Sequence, residues 1–353
     1  MLGASLLTAA CLVTLGLVAV AVVLWRRAAG AHSTGRSLAV FAAMSLALVL
    51  PGIAFAAVPQ ADTGAVPEAN TVPVEHTTTV RYGPLPLPPD LGGDSAPGGQ
   101  MVTFVAPTYD MPCRDCYITG LQPGMTYADG SQANYDTGAM LHHMVLFDPT
   151  KSDSTCGRQG VGLLSGQRVF ASGNERTGAH LPPGYGYRIG ATPLGAMAEL
   201  MNMSPQPQQV YVTMKVSWVD ARSTQLKEVT PVWLDINNCG NSQYTVPAGP
   251  SHTTWTWKST MAGDILTIGG HVHDHGVSIT LSNATRHEEI CKSVAGHNDD
   301  PHYQGHIDSM NTCTGDPLAT VRKGDDLTID SYYDSPMRDD TVMGIMIAYL
   351  HQT

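Results

Sequence analysis

The sequence has little positive charge. Its 353 residues include 19 lysines and arginines against 30 aspartates and glutamates, which gives a formal net charge of −11. Residues 1–58 contain three of the arginines and no acidic residue, so residues 59–353 carry 16 basic residues (19 minus 3) against 30 acidic ones, a net charge of −14. Such an acidic surface repels nucleic acid and anionic lipid headgroups. We therefore expect neither to be a partner of residues 59–353.

Several enzyme signatures are also missing. The chain has no Ser-His-Asp order, no glycine-rich phosphate loop and no dinucleotide fingerprint. These absences argue against a serine hydrolase and against a nucleotide-dependent enzyme.

Long amphipathic helical patterns do not occur beyond residue 100. From Met101 onward, short β-branched and aromatic runs such as Gln209–Val219 and Asp326–Tyr333 are separated by Gly, Pro, Asn and Asp. Short strands at this spacing are typical of a sandwich or jelly roll, and about 250 residues suffice for two. We predict an all-β protein with two tandem jelly-roll β-sandwich domains, residues 101–228 and 229–353.

Residues 1–58 contain two apolar runs, Leu2–Trp25 and Ser37–Val58. Each is near the roughly 20 residues that cross a bilayer. Arginines between the runs favour the cytoplasmic side, which predicts a membrane hairpin with both ends outside. Alternatively, the second run is a signal peptide, with Ala54-Phe55-Ala56 resembling a cleavage site. Either interpretation predicts that the soluble part is extracytoplasmic, being membrane-anchored or secreted.

Residues 59–100 are rich in proline, alanine and glycine and lack a periodic apolar face. Their stiffest part is Pro84–Pro89. This composition predicts an extended linker between the N-terminal apolar region and the first domain.

Six of the seven cysteines lie in the part predicted to be exported. An even number in an oxidising compartment indicates disulfides, although the sequence does not determine the pairing. The spacing of Cys113 and Cys116 also fits a redox pair or half of a zinc site. No second such pair is present, so we favour disulfides among Cys113, Cys116, Cys156, Cys239, Cys291 and Cys313.

Candidate metal ligands are spread over the soluble part: His142, His143, His271, His273 and Met343. Residues two apart in a strand share a face, so His271 and His273 can reach one ion. Adjacent residues face opposite ways, so His142 and His143 can share an ion only at a strand end or a bulge. Imidazole suits copper and zinc, whereas a thioether favours copper(I), so the set indicates copper. Taken singly, each residue also fits a polar strand end or an ordinary core position.

The order and context of these residues resemble the copper type II, ascorbate-dependent monooxygenases, represented by peptidylglycine alpha-hydroxylating monooxygenase and dopamine beta-monooxygenase. The resemblance spans about residues 101–353. It is carried by five segments: Leu141–Phe147, Leu181–Tyr187, His271–His273, Lys323–Leu327 and Asp339–Met343.

The resemblance implies two linked jelly-roll domains, each with one copper site, and open solvent between them. His142 and His143 would belong to an electron-transfer site in the first domain. His271, His273 and Met343 would form the second site, where dioxygen is activated. Ascorbate would supply electrons, and the product would be an alcohol formed at a C–H bond.

This sequence departs from the family pattern at two places. Ser217 occupies the position of the third histidine of the first site. Either His180 replaces that histidine from elsewhere in the chain, or the first site is incomplete. The positions that hold a substrate carboxylate in peptide-hydroxylating members are Gly269, Ile345 and Ile347, which cannot anchor a carboxylate.

We therefore expect an exported copper-dependent monooxygenase acting on a neutral or apolar small molecule rather than on a glycine-extended peptide. One alternative is a non-catalytic copper-binding or copper-handling protein on the same scaffold. A second alternative is a cell-surface sandwich that binds a protein or polymer.

Overall fold

β-strands make up most of the described chain, and several of them alternate between more and less exposed side chains. In Gly249–Lys258, for example, exposed and partly buried residues alternate along almost the whole strand. The computed structural model describes residues 73–90, 100–158, 165–297 and 306–353, which belong to one compact unit. Within these ranges the single helical element is a 3-10 turn, Tyr135–Thr137. The all-β prediction is confirmed.

Residues 76–228, here called the first half, form two sheets. One has the strand order β1-β9-β3-β7-β10 with β6 paired to β3, and the other has the order β2-β8-β4-β5. Every pairing is antiparallel except that of β7 with β10. The strands are β1 His76–Leu87, β2 Gln100–Tyr109, β3 Cys116–Thr126, β4 Ala139–Asp148, β5 Gln167–Ser172, β6 Ala179–His180, β7 Tyr185–Ile189, β8 Leu194–Asn202, β9 Gln208–Asp220 and β10 Lys227–Glu228.

Residues 230–352, here called the second half, form two more sheets. Their strand orders are β11-β20-β14-β18, with β12 paired to β20, and β13-β19-β15-β16-β17. The strands are β11 Thr230–Asp235, β12 Gln243–Val246, β13 Gly249–Lys258, β14 Gly263–Val272, β15 Gly276–Asn283, β16 Glu288–His297, β17 Ile307–Met310, β18 Cys313–Val321, β19 Asp326–Ser335 and β20 Asp339–Gln352.

The two halves pack directly against each other. The buried core of the first half continues into Trp233 of β11 and into Ile345, Ile347 and Tyr349 of β20. The Tyr349 hydroxyl donates a hydrogen bond of 2.9 Å to the Val169 carbonyl oxygen of β5. The open solvent that the family resemblance implies is therefore absent along this face, because apolar side chains fill it.

A covalent bond also joins the halves. Cys156 of the loop after β4 is bonded to Cys239 of the loop after β11. Beside it, the Thr155 hydroxyl donates to the Trp233 carbonyl oxygen at 2.8 Å, and the Arg168 guanidinium lies 4.6 Å from the centre of the Trp233 ring. The remaining pairs are Cys113–Cys116 and Cys291–Cys313, so the disulfide prediction is confirmed for all six cysteines.

Part of the predicted linker is a strand. His76–Leu87, inside residues 59–100, pairs with β9 along most of its length. The prolines of this segment are tolerated because β1 lies at the edge of its sheet. On the outer side of an edge strand no neighbouring strand requires the backbone N–H that proline lacks. Leu85 and Leu87 are buried in the core of the first half. The linker prediction is therefore wrong for these residues.

The predicted membrane or signal region, residues 1–58, lies outside the described residues. Among the described residues, no helix has the length and apolar character required to span a bilayer.

We predict that removing the bond between the halves lowers stability substantially. Cys156 and Cys239 are 83 positions apart, and a cross-link closing a loop of that size stabilises a fold by about 4.5 kcal/mol on loop-closure entropy. Replacing both cysteines by serine should reduce the free energy of unfolding by that amount. Urea titrations under conditions that prevent thiol–disulfide exchange measure the change.

The matched control is the double replacement of Cys113 and Cys116 by serine. Their separation is only three positions, so the loss should be smaller, about 2 kcal/mol. Equal losses from the two pairs would contradict the argument from loop length.

Candidate metal centre

The four candidate histidines lie in one cluster formed by both halves. His142 and His143 come from β4, His271 from the end of β14, and His273 directly follows β14. The ring centre of His143 is 4.0 Å from that of His142, 5.1 Å from that of His271 and 5.0 Å from that of His273. The two separate sites implied by the resemblance are therefore replaced by a single group of imidazoles.

Three of these histidines present nitrogens to a common point. One ligand atom each of His142, His143 and His273 lies within 4.8 Å of the other two. Nε2 of His143 and Nε2 of His273 are 2.9 Å apart. Nitrogens bound to one tetrahedral ion at about 2.0 Å are themselves about 3.3 Å apart, so small adjustments suffice for one ion.

A β-bulge explains how adjacent histidines reach the same point. Leu141 pairs with Leu200 and His143 pairs with Glu199, so His142 is an extra residue in the register between β4 and β8. The extra residue turns its side chain away from strict alternation. The irregularity that His142 and His143 would need to share an ion is present at this position, and their role as ligands stays a prediction.

Glu199 holds both histidines of β4. Its Oε2 lies 2.7 Å from Nδ1 of His143 and 3.7 Å from Nδ1 of His142. These two contacts hold the pKa of Glu199 well below its ordinary value, and the contact with His142 has the larger effect. An ionised carboxylate only accepts hydrogen bonds, so Nδ1 of His143 carries the proton and its Nε2 is free to bind a metal.

Glu175 holds His271 in the same way. Its Oε1 lies 3.0 Å from Nδ1 of His271 and accepts a hydrogen bond of 2.8 Å from the Gly173 backbone. Burial opposes ionisation of Glu175, but the charge and hydrogen bond of His271 outweigh it and lower the pKa of the carboxyl. Nε2 of His271 is buried without a hydrogen-bond partner among the described residues. An uncommitted buried nitrogen of this kind fits a metal-binding role.

His273 is fixed through its backbone. Its N–H donates a hydrogen bond of 2.7 Å to the hydroxyl of Tyr333, which in turn donates to the carbonyl oxygen of Met343. Met343 is 9% exposed and its side chain belongs to the core shared by the two halves. Tyr333 thus links the backbones of His273 and Met343. The role of the Met343 thioether as a ligand stays a prediction.

The buried imidazoles are neutral at neutral pH. Burial, reinforced by the neighbouring histidines, lowers the pKa of His143 to about 4 even though Glu199 opposes the shift. The same causes lower the pKa of His273 well below its ordinary value. A metal-binding imidazole must be unprotonated, so these shifts prepare both side chains for a cation.

Gly173 makes the close approach of the halves possible. A Cβ atom at this position would lie 2.7 Å from the His142 carbonyl oxygen and 2.9 Å from Cε1 of His271. Gly269 of β14, by contrast, has only ordinary van der Waals neighbours at its Cβ position. The glycine that the site requires is therefore one in the loop after β5.

The other residues considered for the first site lie elsewhere. Ser217 on β9 and His180 on β6 flank Gly120 of β3, in the sheet that does not contain His142 and His143. The third imidazole near the β4 pair comes instead from the second half, as His273.

The two carboxylates were not identified from the sequence. Glu199 has a recognisable signal, because it is the one acidic residue in the otherwise apolar Leu194–Asn202 strand. Glu175 lies in a polar stretch, Asn174–Arg176, that resembles any surface loop, although Glu175 itself is 7% exposed. Only the fold shows that its carboxylate faces His271.

Comparisons with known proteins find one family model and relatives named as copper-dependent oxygenases. A family model described as SURNod19, stress up-regulated Nod 19, matches residues 202–353. The chain is 30% identical over 268 residues to a Phoma sp. protein named probable copper-dependent oxygenase M1, which covers 68% of this chain and 65% of that protein. It is 28% identical over 257 residues to the Cochliobolus lunatus protein named probable copper-dependent oxygenase clz3, which covers 65% and 78%. The chain thus spans somewhat less than two thirds of the Phoma protein.

The solved structures that match this chain have low structural similarity and low sequence identity to it. A peptide-N(4)-(N-acetyl-β-D-glucosaminyl)asparagine amidase has a TM-score of 0.38 and 11% identity, over 79% of this chain and 97% of that chain. The major capsid protein P2 of bacteriophage PM2 has a TM-score of 0.32 and 10% identity, over 79% and 98%. Similarities this low support no inference about function.

We predict that the metal-free protein loses stability in acid because of the buried histidines. The pKa of His143 is 6.5 in an unfolded chain and about 4 in the fold, so the unfolded state binds more protons between these values. Stability therefore falls as the pH decreases from 6.5 to 4, by about 3 kcal/mol for His143. Urea titrations of chelator-treated protein at pH 7.5, 5.5 and 4.5 measure the change.

Replacing His143 by glutamine should reduce this pH dependence and leave the contribution of His273, whereas replacing the exposed His252 by glutamine should leave the wild-type dependence. An equal slope in wild type and His143→Gln would contradict the assignment.

We predict that Glu199→Gln weakens metal binding without unfolding the protein. The amide cannot accept from both imidazoles with the strength of a carboxylate, and loss of such a partner typically costs about 10–100-fold in metal affinity. Competition with a chelator of known copper(II) affinity measures the change. The control is Glu289→Gln, an exposed carboxylate on β16, which should keep wild-type affinity.

Proposed function

We propose that this chain is an exported copper-dependent oxygenase with one metal centre formed by both halves. The convergence of His142, His143 and His273 carries the proposal. Imidazole donors suit both copper and zinc, and the similarity to proteins named probable copper-dependent oxygenases favours copper. Bound copper would supply one-electron and dioxygen chemistry.

The protein's own residues prepare the centre for that chemistry. Glu199 fixes the proton on Nδ1 of His143, so the ring presents a lone pair at Nε2. Packing of the halves leaves the His143 side chain 10% exposed and the His142 side chain 21% exposed. The centre therefore has a closed side at His143 and a more accessible side at His142, where small molecules would enter.

We propose further that ascorbate supplies the electrons, that a C–H bond of a small molecule is hydroxylated, and that Met343 adds a thioether ligand.

We also propose two jelly-roll domains with a boundary near residues 228–229. Their support is that the eight principal strands of each half have the same interleaved order, with the first strand beside the last and the second beside the next to last.

One observation favours a non-catalytic alternative. The resemblance implies a second, separate electron-transfer site, but the histidines expected there belong to the single cluster. A single enclosed group of imidazoles also suits a protein that binds or transfers copper without oxidising a substrate. Ser217 in place of a histidine agrees with either function.

The deciding experiment measures copper content and electron paramagnetic resonance before and after ascorbate. We expect one copper ion per chain, whose copper(II) signal disappears on reduction and returns with dioxygen. His273→Ala should lose the signal because it removes a ligand from the second half. Met343→Ala should retain copper with altered spectral parameters if the thioether is bound.

His180→Ala is the matched control, because His180 is exposed and lies outside the cluster. It should bind copper as wild type does. Copper retained by His273→Ala with an unchanged spectrum would contradict the shared centre. A bound ion that ascorbate reduces without any oxygen uptake would support copper handling instead of an oxygenase.

A further inference from the structure

A cleft lies between the two halves beside the histidine cluster. The cleft is open on one side, and the empty space counted up to that side is about 400 Å³. One wall consists of Phe170 and Ala171 of β5 with the segment 177–179, and the other consists of β14 and β20. His271 lines the cleft, and its ring centre is 5.1 Å from that of His143. A molecule in the cleft would therefore contact the histidine cluster through His271.

His271 is the one titratable histidine in the described walls of the cleft. In β14 and β20, Gly269 pairs with Ile347 and His271 pairs with Ile345, so two isoleucines lie beside the histidine. Among the residues that the structure describes, no aspartate, glutamate, lysine or arginine lines the cleft. A charged ligand would lose its hydration there without gaining an opposite charge.

Most polar groups of the walls already have partners. The Tyr349 hydroxyl donates to the Val169 carbonyl oxygen, and the Thr267 hydroxyl lies 2.9 Å from that of Thr314. By contrast, the Thr177 hydroxyl is buried and has no hydrogen-bond partner among the described residues. Since a buried hydroxyl without a partner is unfavourable, a ligand hydroxyl or carbonyl group that reached Thr177 would be stabilised there.

Gly269 keeps the cleft open. A Cβ atom at this position would lie 3.4 Å from Cγ2 of Thr177 and 3.8 Å from Cγ2 of Thr312, which are ordinary contacts. The backbone therefore tolerates a side chain at Gly269, and that side chain would occupy the empty space. This makes Gly269 a suitable position for closing the cleft without straining the strand.

We propose that this cleft is the substrate site and that it takes an uncharged, mainly apolar molecule with one hydroxyl or carbonyl group bound by Thr177. The proposal rests on the proposed function in assigning the ligand as substrate, because the cleft adjoins the copper centre through His271. The preference for an uncharged ligand follows from Ile345, Ile347 and Gly269, which form the walls of the cleft without contributing a charge.

The test measures binding of three probes of similar size to metal-free protein at pH 7.5. Toluene, benzyl alcohol and benzoate differ in having no polar group, a hydroxyl and a negative charge, and saturation-transfer nuclear magnetic resonance titrations give their affinities. We expect benzyl alcohol to bind at least tenfold more tightly than benzoate. Gly269→Leu should weaken benzyl alcohol at least tenfold, and Thr177→Val should remove the preference for benzyl alcohol over toluene.

Gly190→Leu is the matched control. Gly190 is exposed, and a Cβ atom there has no neighbour within 4 Å, so this variant should bind the probes as wild type does. Ile347→Lys provides a gain-of-function test, because a cation in the cleft should reverse the order so that benzoate binds more tightly than benzyl alcohol. Circular dichroism and unfolding midpoints establish that each variant is folded.

Two results would overturn the proposal: wild-type benzyl alcohol affinity in folded Gly269→Leu, or benzoate binding to wild type as tightly as benzyl alcohol. Because the probes are measured without metal, the test is independent of the copper experiment. Probe binding in a protein that does not bind copper would refute the proposed function and leave a cleft for apolar ligands. Copper binding without probe binding would refute the cleft alone.

Discussion

The site depends on the packing of β14 and β20 against the first half of the molecule. This contact carries apolar side chains from both halves into one buried core, and it places His271 and His273 beside His142 and His143. Bringing imidazoles together is unfavourable for their protonated forms, so the hydrophobic contact has to overcome that repulsion in acid. Near neutral pH His143 and His273 are unprotonated because burial lowers the pKa of each, and for these two side chains the two contributions no longer conflict. The packing of the halves and the readiness of the centre for a cation therefore have the same physical origin.

Carboxylates complete the arrangement. Glu199 comes from the strand beside the β4 histidines, whereas Glu175 comes from the loop after β5 and holds a histidine of the other half. Each places a negative charge behind an imidazole, on the side away from its uncommitted nitrogen. A divalent cation would thus enter a centre that already contains two negative charges close to its ligands. This balance distinguishes the cluster from a chance grouping of histidines at an interface.

Much of the fold and part of the site were accessible from the sequence. Alternating runs identified the strands, paired cysteines identified the disulfides, and the adjacency of His142 and His143 required an irregularity that the structure provides as a bulge. The sequence did not show that His273 would approach His143, because contact between residues 130 positions apart depends on how the two halves pack together. Nor did it identify β1, because proline-rich composition describes a linker and an edge strand equally well. Gly173 and Glu175 are meaningful only relative to side chains from the other half.

The origin of the ligands in two distant stretches of chain has a consequence for assembly. His143 lies in the first half and His273 in the second, and neither half alone contains the three-histidine set. A partly synthesised polypeptide would therefore be unable to retain the ion, and cross-linking of Cys156 to Cys239 would help to secure the binding geometry beforehand. The complete three-histidine set would therefore exist only after both halves have folded and packed together.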